Sequence, residues 1–458
     1  MKKQTIVMKN YNKIFIYFIC LVSALGGLLF GYDWVVIGGA KIFYEQFFQI
    51  TNNPNMQGLA MSIALAGCLL GALPTGSLAD GYGRKPLLIV AAFIFLISAY
   101  GTGASDSFIL FLIARFIGGI AIGIASGLSP MYIAEVSPAV IRGKLVTLNQ
   151  LAIVVGILAA QIVNWALAGD DQLWNVEIGW RWMFWAEAFP ALLFLVLALM
   201  IPESPRWLAM NKREGKAKEV FCRIGGDAYA EKELKAIADM STKKEEGGLA
   251  VLFSKPYRMV LMIGIIAAVF QQWCGTNVIF NYAQEIFQGA GYDVDNTFIN
   301  IVVTGIANLV FTFVAIYTVD RLGRRALMLI GAGGLAAIYL MLGTCYYYHV
   351  SGIFMVVLVV VAIACYAMSL GPVTWVLLSE IFPGKVRGVA VATSTFALWM
   401  GSFTLTYSFP FLNRGLGTYG TFWIYTAICV MGLIYFYRVL PETKGKSLEE
   451  LENKLVKK

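Results

Sequence analysis

Long apolar runs alternate with short polar loops along the whole chain. A helix that crosses a bilayer needs roughly 20 apolar residues, and each of these runs is about that long. They lie near 14–40, 56–79, 86–105, 108–133, 145–169 and 181–201, and again near 257–288, 297–319, 326–348, 352–379, 388–410 and 419–440. The pattern predicts an all-α membrane protein with twelve transmembrane helices in two sets of six.

A polar segment separates the two sets of runs. Residues 203–256 contain 11 Lys and Arg and 9 Asp and Glu, and some of their runs have helical periodicity. The chain is therefore predicted to consist of an N-terminal six-helix half (1–202), a cytoplasmic helical linker (203–256), a C-terminal six-helix half (257–441) and a cytoplasmic tail (442–458). The first run is too long for a signal-peptide core of about 7–15 residues, so we expect it to be retained.

The composition excludes an ordinary soluble protein. Hydrophobic residues make up 59% of the 458 positions and charged residues 14%, against about 45–50% and about 25% in soluble domains. The chain has one histidine, His349, and seven scattered cysteines without a C-x-x-C pair, so neither a metal site nor a disulfide framework is expected. No nucleophile–base pair emerges, and we predict that the protein is not an enzyme and uses no cofactor.

The basic residues follow the predicted topology. All but four of the 35 Lys and Arg fall on the side of the predicted topology that holds the linker and the termini; the exceptions are Lys41, Arg181 and Arg414 near span edges and Arg115 within span 4. Because Lys and Arg concentrate on the cytoplasmic side of membrane proteins, both termini are predicted to be cytoplasmic. The net charge of +8 is then a topology signal, and no nucleic acid is expected as a partner.

Three motifs occur twice in the same order. The segment DGYGRK at 80–85 returns as DRLGRR at 320–325, the segment 135–143 returns as 380–388, and Pro-Glu-Ser at 202–204 returns as Pro-Glu-Thr at 441–443. The offsets of 240, 245 and 239 residues are nearly equal. The two halves are therefore predicted to be homologous repeats, as in many secondary transporters whose substrate site lies between repeats near mid-membrane.

Two opposite charges fall inside predicted spans. A carboxylate such as Asp33 in span 1 costs about 2.5–3.5 kcal/mol on insertion scales, so it needs a partner, a cavity or a proton. Arg115 of span 4 is the basic candidate, and the glycines that follow it at steps of four favour close helix packing (Gly119, Gly123 and Gly127). A carboxyl group between an arginine and a dry environment can bind and release a proton. The alternative is a permanent ion pair that only braces spans 1 and 4.

The motif set resembles the sugar porters of the major facilitator superfamily. The resemblance rests on Gly76-x-x-x-Asp80-x-x-Gly83-Arg84-Lys85 with its second copy, on Pro-Glu-Ser-Pro-Arg at 202–206 and on Pro-Glu-Thr-Lys-Gly-Lys at 441–446. It covers nearly the whole chain and is nearest to the bacterial xylose–proton symporters. It implies the major facilitator fold, a plasma (inner) membrane location, and a sugar and a proton as partners. We expect the protein to work as a monomer.

The resemblance also assigns roles to acidic residues in the spans. Proton-coupled sugar porters carry an acid at the position of Asp33, and glucose facilitators lack it. Glu187 of span 6 matches a second acid of this network in the xylose symporter group. For Glu187 the alternative is a helix-boundary acid near the extracellular side.

Amide and aromatic side chains in the spans are suited to a sugar. Amides donate and accept hydrogen bonds at once, and burying them is costly unless they are paired. In the family, the Gln-Gln…Asn pattern of span 7 contacts sugar, which implies this role for Gln271, Gln272 and Asn277. Further candidates are Phe30, Gln150, Asn281, Trp375 and Trp399. The alternatives are hydrogen bonds between helices for the amides and positions at the lipid interface for the tryptophans.

Two positions depart from the xylose symporter pattern. Asn281 stands where that group has the first Tyr of a pair, and Leu398 stands where it has Gln and facilitators have Asn. Losing a polar partner in a site built for hydroxyls shifts specificity. A hexose, another pentose and a cyclic polyol are therefore alternatives to xylose as the transported substrate. A bend is expected at Gly371-Pro372, because proline removes a helical hydrogen bond.

The recurring charges of the loop motifs are predicted to form a cytoplasmic gate that pairs across loops when the inner side is shut. Its members are Asp80, Arg84, Glu135, Arg142, Asp320, Arg324, Glu380 and Arg387. The arginines alone are also explained by inside-positive topology, whereas the recurring acids are not needed for it.

These features together predict proton-coupled import of a monosaccharide by alternating access. The alternatives are a sugar uniporter and a symporter of a cyclic polyol such as myo-inositol. A sugar sensor that does not transport is disfavoured, because the tail after Pro441 is short.

Overall fold

The structure is a computed structural model that describes residues 11–169, 171–241, 249–383 and 386–444. Within these ranges every regular element is a helix, in agreement with the predicted all-α membrane class. The predicted tail from residue 445 onward lies outside the described residues.

Eleven helical segments of the described chain are long and apolar enough to cross a membrane. Spans 1 to 6 are Lys13–Phe47, Pro54–Tyr82, Arg84–Gly103, Phe108–Val136, Arg142–Leu167 and Gln172–Met200. The remaining segments are Arg258–Asn281 (span 7), Val294–Leu322 (span 8), Arg324–Tyr347 (span 9), Ile353–Ile381 (span 10) and Arg387–Val439.

The segment Arg387–Val439 consists of two helices. Its 53 residues are interrupted at Gly417, whose φ of 70° and ψ of 172° are not helical. We call the parts before and after Gly417 span 11 and span 12. With this division the helices agree with the twelve predicted spans.

The first helix is longer than the apolar pattern predicts. It continues past residue 40 to Phe47. Lys41, which the sequence pattern placed near a span edge, therefore lies inside the helix. Its side chain is buried within span 1 and lies 2.8 Å from Glu45, one turn later. The apolar pattern ends early because this charged pair interrupts it, although the helix continues through the pair.

The segment between the halves contains four short helices, Pro205–Met210, Glu214–Gly225, Asp227–Ser241 and Leu249–Leu252. It packs against the start of span 1. The backbone N–H of Asn12 donates to the oxygen of Ile224 at 2.9 Å, and the guanidinium of Arg223 lies 4.3 Å from the ring centroid of Phe15. The segment is therefore attached to the bundle by direct contacts.

Spans 2 and 4 pack so closely that side chains are excluded between them. A Cβ built on Gly119 would lie 1.9 Å from the oxygen of Ala64, and one on Gly123 would lie 2.4 Å from the oxygen of Cys68. The small-residue face predicted below Arg115 is thus a real helix contact at these two glycines. Gly127 has open space at its Cβ position, so the contact ends before it.

The repeated motifs build the same turn in both halves. Gly83 and Gly323 connect spans 2 and 3 and spans 8 and 9, with φ of 98° and 90° and ψ of 173° and 159°. Non-glycine residues essentially never adopt such angles. A Cβ on Gly83 would also lie 2.3 Å from Glu203 Oε2, and one on Gly323 would lie 2.6 Å from Glu442 Oε2.

The glutamate of each Pro-Glu motif caps the helix that follows the glycine. Glu203 Oε1 accepts the backbone N–H of Arg84 at 2.9 Å, and Glu442 Oε1 accepts that of Arg324 at the same distance. A carboxylate is favourable at a helix N-terminus because free N–H groups and the helix dipole point to it. Partial burial opposes its charge, yet these backbone donors outweigh that effect and lower the pKa of Glu442. The motifs at 202–204 and 441–443 are therefore helix caps supplied from a distant part of the chain.

We predict that Gly83→Ala and Gly323→Ala each destabilise the protein, since the backbone conformation alone costs about 1–3 kcal/mol for other residues. The thermal unfolding midpoint in detergent measures the loss. Gly81→Ala is the matched control, because a Cβ there meets nothing within 4 Å and the same turn stays intact. Equal midpoints for the Gly83 and Gly81 variants would contradict this account of the motif.

Candidate functional site

A buried ion pair joins spans 1 and 4. Arg115 Nη1 donates to Asp33 Oδ1, and its Nη2 donates to the backbone oxygen of Asp33 at 3.2 Å. Asp33 is 1% exposed and Arg115 2%, and the guanidinium lies 5.4 Å from the ring centroid of Phe184. The structure thus brings together the two charges that the sequence singled out. Removing one member of a buried pair costs about 3–5 kcal/mol, because the other charge is left uncompensated.

Glu187 belongs to the same cluster. It lies at the turn that interrupts span 6 between Trp185 and Ala188, is 2% exposed, and interacts electrostatically with both Asp33 and Arg115. It is a helix-boundary acid, as the alternative interpretation held, but a buried one. The cluster therefore contains two carboxyl groups and one guanidinium, a composition that offers a place for a proton.

Three amides of span 7 form a hydrogen-bonded chain. Asn277 Nδ2 donates to Gln272 Oε1, Gln272 Nε2 donates to Gln271 Oε1 at 2.9 Å, and Gln271 Nε2 donates to the backbone oxygen of Gly371 at 3.2 Å. All three amides are less than 10% exposed. The chain orients the amides and connects span 7 to span 10. Gln150 of span 5 is half-buried and is not part of it.

Both helices that carry this chain are broken near their centres. Span 7 breaks at Gly275, which has a φ of 88° and packs against Tyr425. Span 10 breaks at Ser369, slightly before the bend expected at Gly371-Pro372, because Pro372 cannot donate the helical hydrogen bond to residue 368. Irregular backbone at membrane depth occurs where it is buried in protein or lines a cavity, and here it surrounds the amides.

An aromatic cluster lies between spans 1 and 11. The ring centroids of Phe30 and Trp34 are 5.8 Å and 5.9 Å from that of Trp399. Trp399 is 2% exposed, and its indole N–H has no hydrogen-bond partner within the described ranges, so it is a donor that remains for a ligand. Trp375 is more open, at 39% exposure. Sequence reasoning missed Trp34, although it directly follows Asp33.

Polar contacts join the two halves at the end opposite the repeated motifs, which we call the outer end. Lys41 of span 1 pairs with Glu285, which follows span 7. Further contacts there are Gln284 Nε2 to Gly39 O at 2.7 Å, Tyr407 OH to Asn55 Oδ1 at 2.6 Å, and Arg414 Nη1 to Asn52 O at 3.1 Å. Lys41, Glu285, Asn52 and Arg414 line a cleft of about 260 Å³ at this end. The sequence pattern did not predict a function for the residues of this end. The feature that could have identified them is the charge at positions 41, 45 and 285, next to or within apolar runs.

At the motif end the corresponding polar contacts stay within each half. Arg84 pairs with Glu135 at 2.8 Å and with Asp80 at 3.2 Å. Arg324 pairs with Glu380 at 2.9 Å. Of the other predicted gate residues, Arg142 and Arg387 form no ion pair with a described side chain, and the side chain of Asp320 lies outside the described part.

Comparison with known proteins agrees with this architecture. Residues 19–455 match the family described as "sugar (and other) transporter". The chain is 37% identical to the arabinose-proton symporter of Bacillus subtilis, over 98% of this chain and 97% of that protein. It is 38% identical to the D-xylose-proton symporter of Escherichia coli, over 97% and 96%. The inward-open structure of the xylose transporter XylE from E. coli superposes with a TM-score of 0.85 at 37% identity, covering 96% of this chain and all of that one.

We predict that Lys41→Met lowers the thermal unfolding midpoint, because Glu45 and Glu285 would lose the cation between them, at a cost of about 3–5 kcal/mol. Lys216→Met is the matched control on an exposed position of the linker. The double variant Lys41→Met/Glu285→Met should recover part of the loss. If Lys41→Met unfolds at the same temperature as Lys216→Met, the pair does not hold the outer end together.

Proposed function

Because the chain belongs to the sugar transporter family, we propose that it imports a monosaccharide together with a proton by alternating access. The observation that carries the proposal is the buried cluster of Asp33, Arg115 and Glu187 in one half, opposite the amide chain of span 7 in the other. An acid cluster that only braced helices would not need a second carboxyl group. The first half would bind the proton and the second half most of the sugar.

The proposed substrate is a pentose or hexose of the xylose type. The relatives named above are symporters of arabinose and xylose, and the span 7 amides and the free indole N–H of Trp399 supply the donors and acceptors that sugar hydroxyls require. Each such hydrogen bond discriminates strongly, because losing it leaves a buried polar group unpaired. A cyclic polyol remains the second candidate, since Asn281 changes the polar set next to Asn277.

The state of the structure follows from where its halves meet. We propose that the motif end is cytoplasmic, because the basic residues concentrate there, with both termini on that side of the plasma membrane. The described contacts between the halves at the outer end then make this an inward-facing state. Opening to the outside requires the Lys41–Glu285 pair to separate, and ligands drive the change by binding the two states unequally.

We predict that Asp33→Asn abolishes accumulation of sugar driven by a proton gradient but retains sugar counterflow, because the amide cannot exchange a proton. Uptake and counterflow in proteoliposomes measure the two activities. Asp106→Asn is the matched control, since Asp106 also pairs with an arginine, Arg181 at 2.8 Å, but is exposed. Retained accumulation in Asp33→Asn would refute coupling through this residue. A wild-type protein that exchanges sugar but never accumulates it would establish the uniporter instead.

We predict that Gln272→Ala raises the half-saturating sugar concentration about 5-fold or more, because a lost hydrogen bond in a buried site costs about 1–3 kcal/mol. Counterflow with xylose, arabinose, glucose, galactose and myo-inositol measures the change and ranks the substrates. Gln288→Ala, on an exposed position after span 7, should leave the value unchanged. Equal effects of the two variants would show that Gln272 does not belong to the sugar site.

A further inference from the structure

A small cavity lies where the two halves meet, between the cluster of Asp33, Arg115 and Glu187 and span 7. Its volume is about 10 Å³, and it is lined by Arg115 from the first half and by Asn281 from the second. The rest of its wall is formed by apolar side chains of spans 1, 2 and 4, among them Ile37 and Leu65. A cavity of roughly 10–15 Å³ holds one water molecule if polar groups are available.

The two polar residues of this cavity each have one unused group. Arg115 directs its Nη atoms to Asp33, but its Nε–H has no hydrogen-bond partner among the described residues. Asn281 is 4% exposed, and its Oδ1 likewise has no partner in the described part of the chain. One group is a donor and the other an acceptor, and leaving either unpaired in a buried place is costly. A water molecule within reach of both groups would accept a hydrogen bond from one and donate a hydrogen bond to the other.

We propose that one buried water joins Arg115 to Asn281 in this cavity, and that Asn281 is thereby a positioning residue for proton coupling; this rests on the function proposed above. When Asp33 takes up a proton, the guanidinium loses its charged partner and depends more on its remaining acceptors. The water and the Asn281 amide then stabilise the released guanidinium. The water and the Asn281 amide favour the protonated form of Asp33 only while span 7 holds Asn281 in place.

This bridge links the two substrates of the transporter. Asn281 follows Asn277 by four residues on the same short helix, Thr276–Asn281, so both amides lie on one face of it. A sugar bound at Asn277 and Gln272 fixes this helix and hence the water site. In the part of the chain that the structure describes, the other titratable side chains that interact with Asp33 or Arg115 are Glu187 of span 6, Tyr32 and Tyr44 of span 1 and Cys68 of span 2. None of these four lines the cavity.

The test compares Asn281→Leu with Leu65→Met, which alters the wall of the same cavity without changing its polarity. Both are reconstituted with the wild type and assayed for counterflow at equal pH, for accumulation under a proton gradient, and for sugar-driven proton uptake. In Asn281→Leu we expect the ratio of accumulation to counterflow to fall at least 10-fold. The external pH of half-maximal uptake should fall by about one unit, the equivalent of losing one hydrogen bond to a charged group. Leu65→Met should keep all three values.

The outcomes separate this proposal from the function it rests on. Unchanged accumulation and an unchanged pH profile in Asn281→Leu would overturn the water bridge alone. Uncoupling in Leu65→Met as well would assign the effect to packing and overturn it too. If Asn281→Leu does not fold, Asn281→Ala, which leaves room for water but removes the acceptor, should show the same uncoupling, and normal coupling in it would refute the proposal. A wild type that moves no protons would overturn the symport and this inference together.

Discussion

The structure depends on the cost of leaving a charge alone inside a membrane. The buried intramembrane charges described above lie beside opposite charges, and two of the resulting pairs connect elements that are distant in sequence. Asp33 and Arg115 connect spans 1 and 4, and Lys41 and Glu285 connect the two halves. Because separating such a pair is expensive unless another partner or a proton replaces it, the pairs decide which rearrangements are accessible. A transporter that uses a proton can exploit the same cost.

The two halves solve the same structural problem with the same residues but specialise in different chemistry. In both halves a distant glutamate caps the helix that follows a glycine turn. In both halves an arginine also pairs with a second glutamate, which lies in span 4 of the first half and in span 10 of the second. Among the described residues, the buried acid cluster lies in the first half and the amide chain lies in the second. The repeat therefore supplies a shared scaffold at one end, and the differences lie in the middle of the bundle. This division agrees with a substrate site placed between the halves.

Much of this arrangement could be predicted from the sequence, because membrane helices require long apolar runs and because the motifs repeat. The pairing of Asp33 with Arg115 followed from the rarity of such charges at membrane depth. Lys41 was misplaced because charge interrupts the apolar pattern even when the helix continues. The role of Trp34 in the aromatic cluster and the cavity beside Asn281 depend on how spans from both halves meet. A single sequence does not contain that geometry.

The capped turns at Gly83 and Gly323 have a mechanical consequence. Each fastens the ends of neighbouring helices to a carboxylate, so that end of each half is stiff. The midpoints of spans 7 and 10 lack a continuous hydrogen-bond ladder at Gly275 and Ser369, so they are compliant. Both of these spans belong to the second half, which therefore combines a fastened end with irregular backbone at its centre.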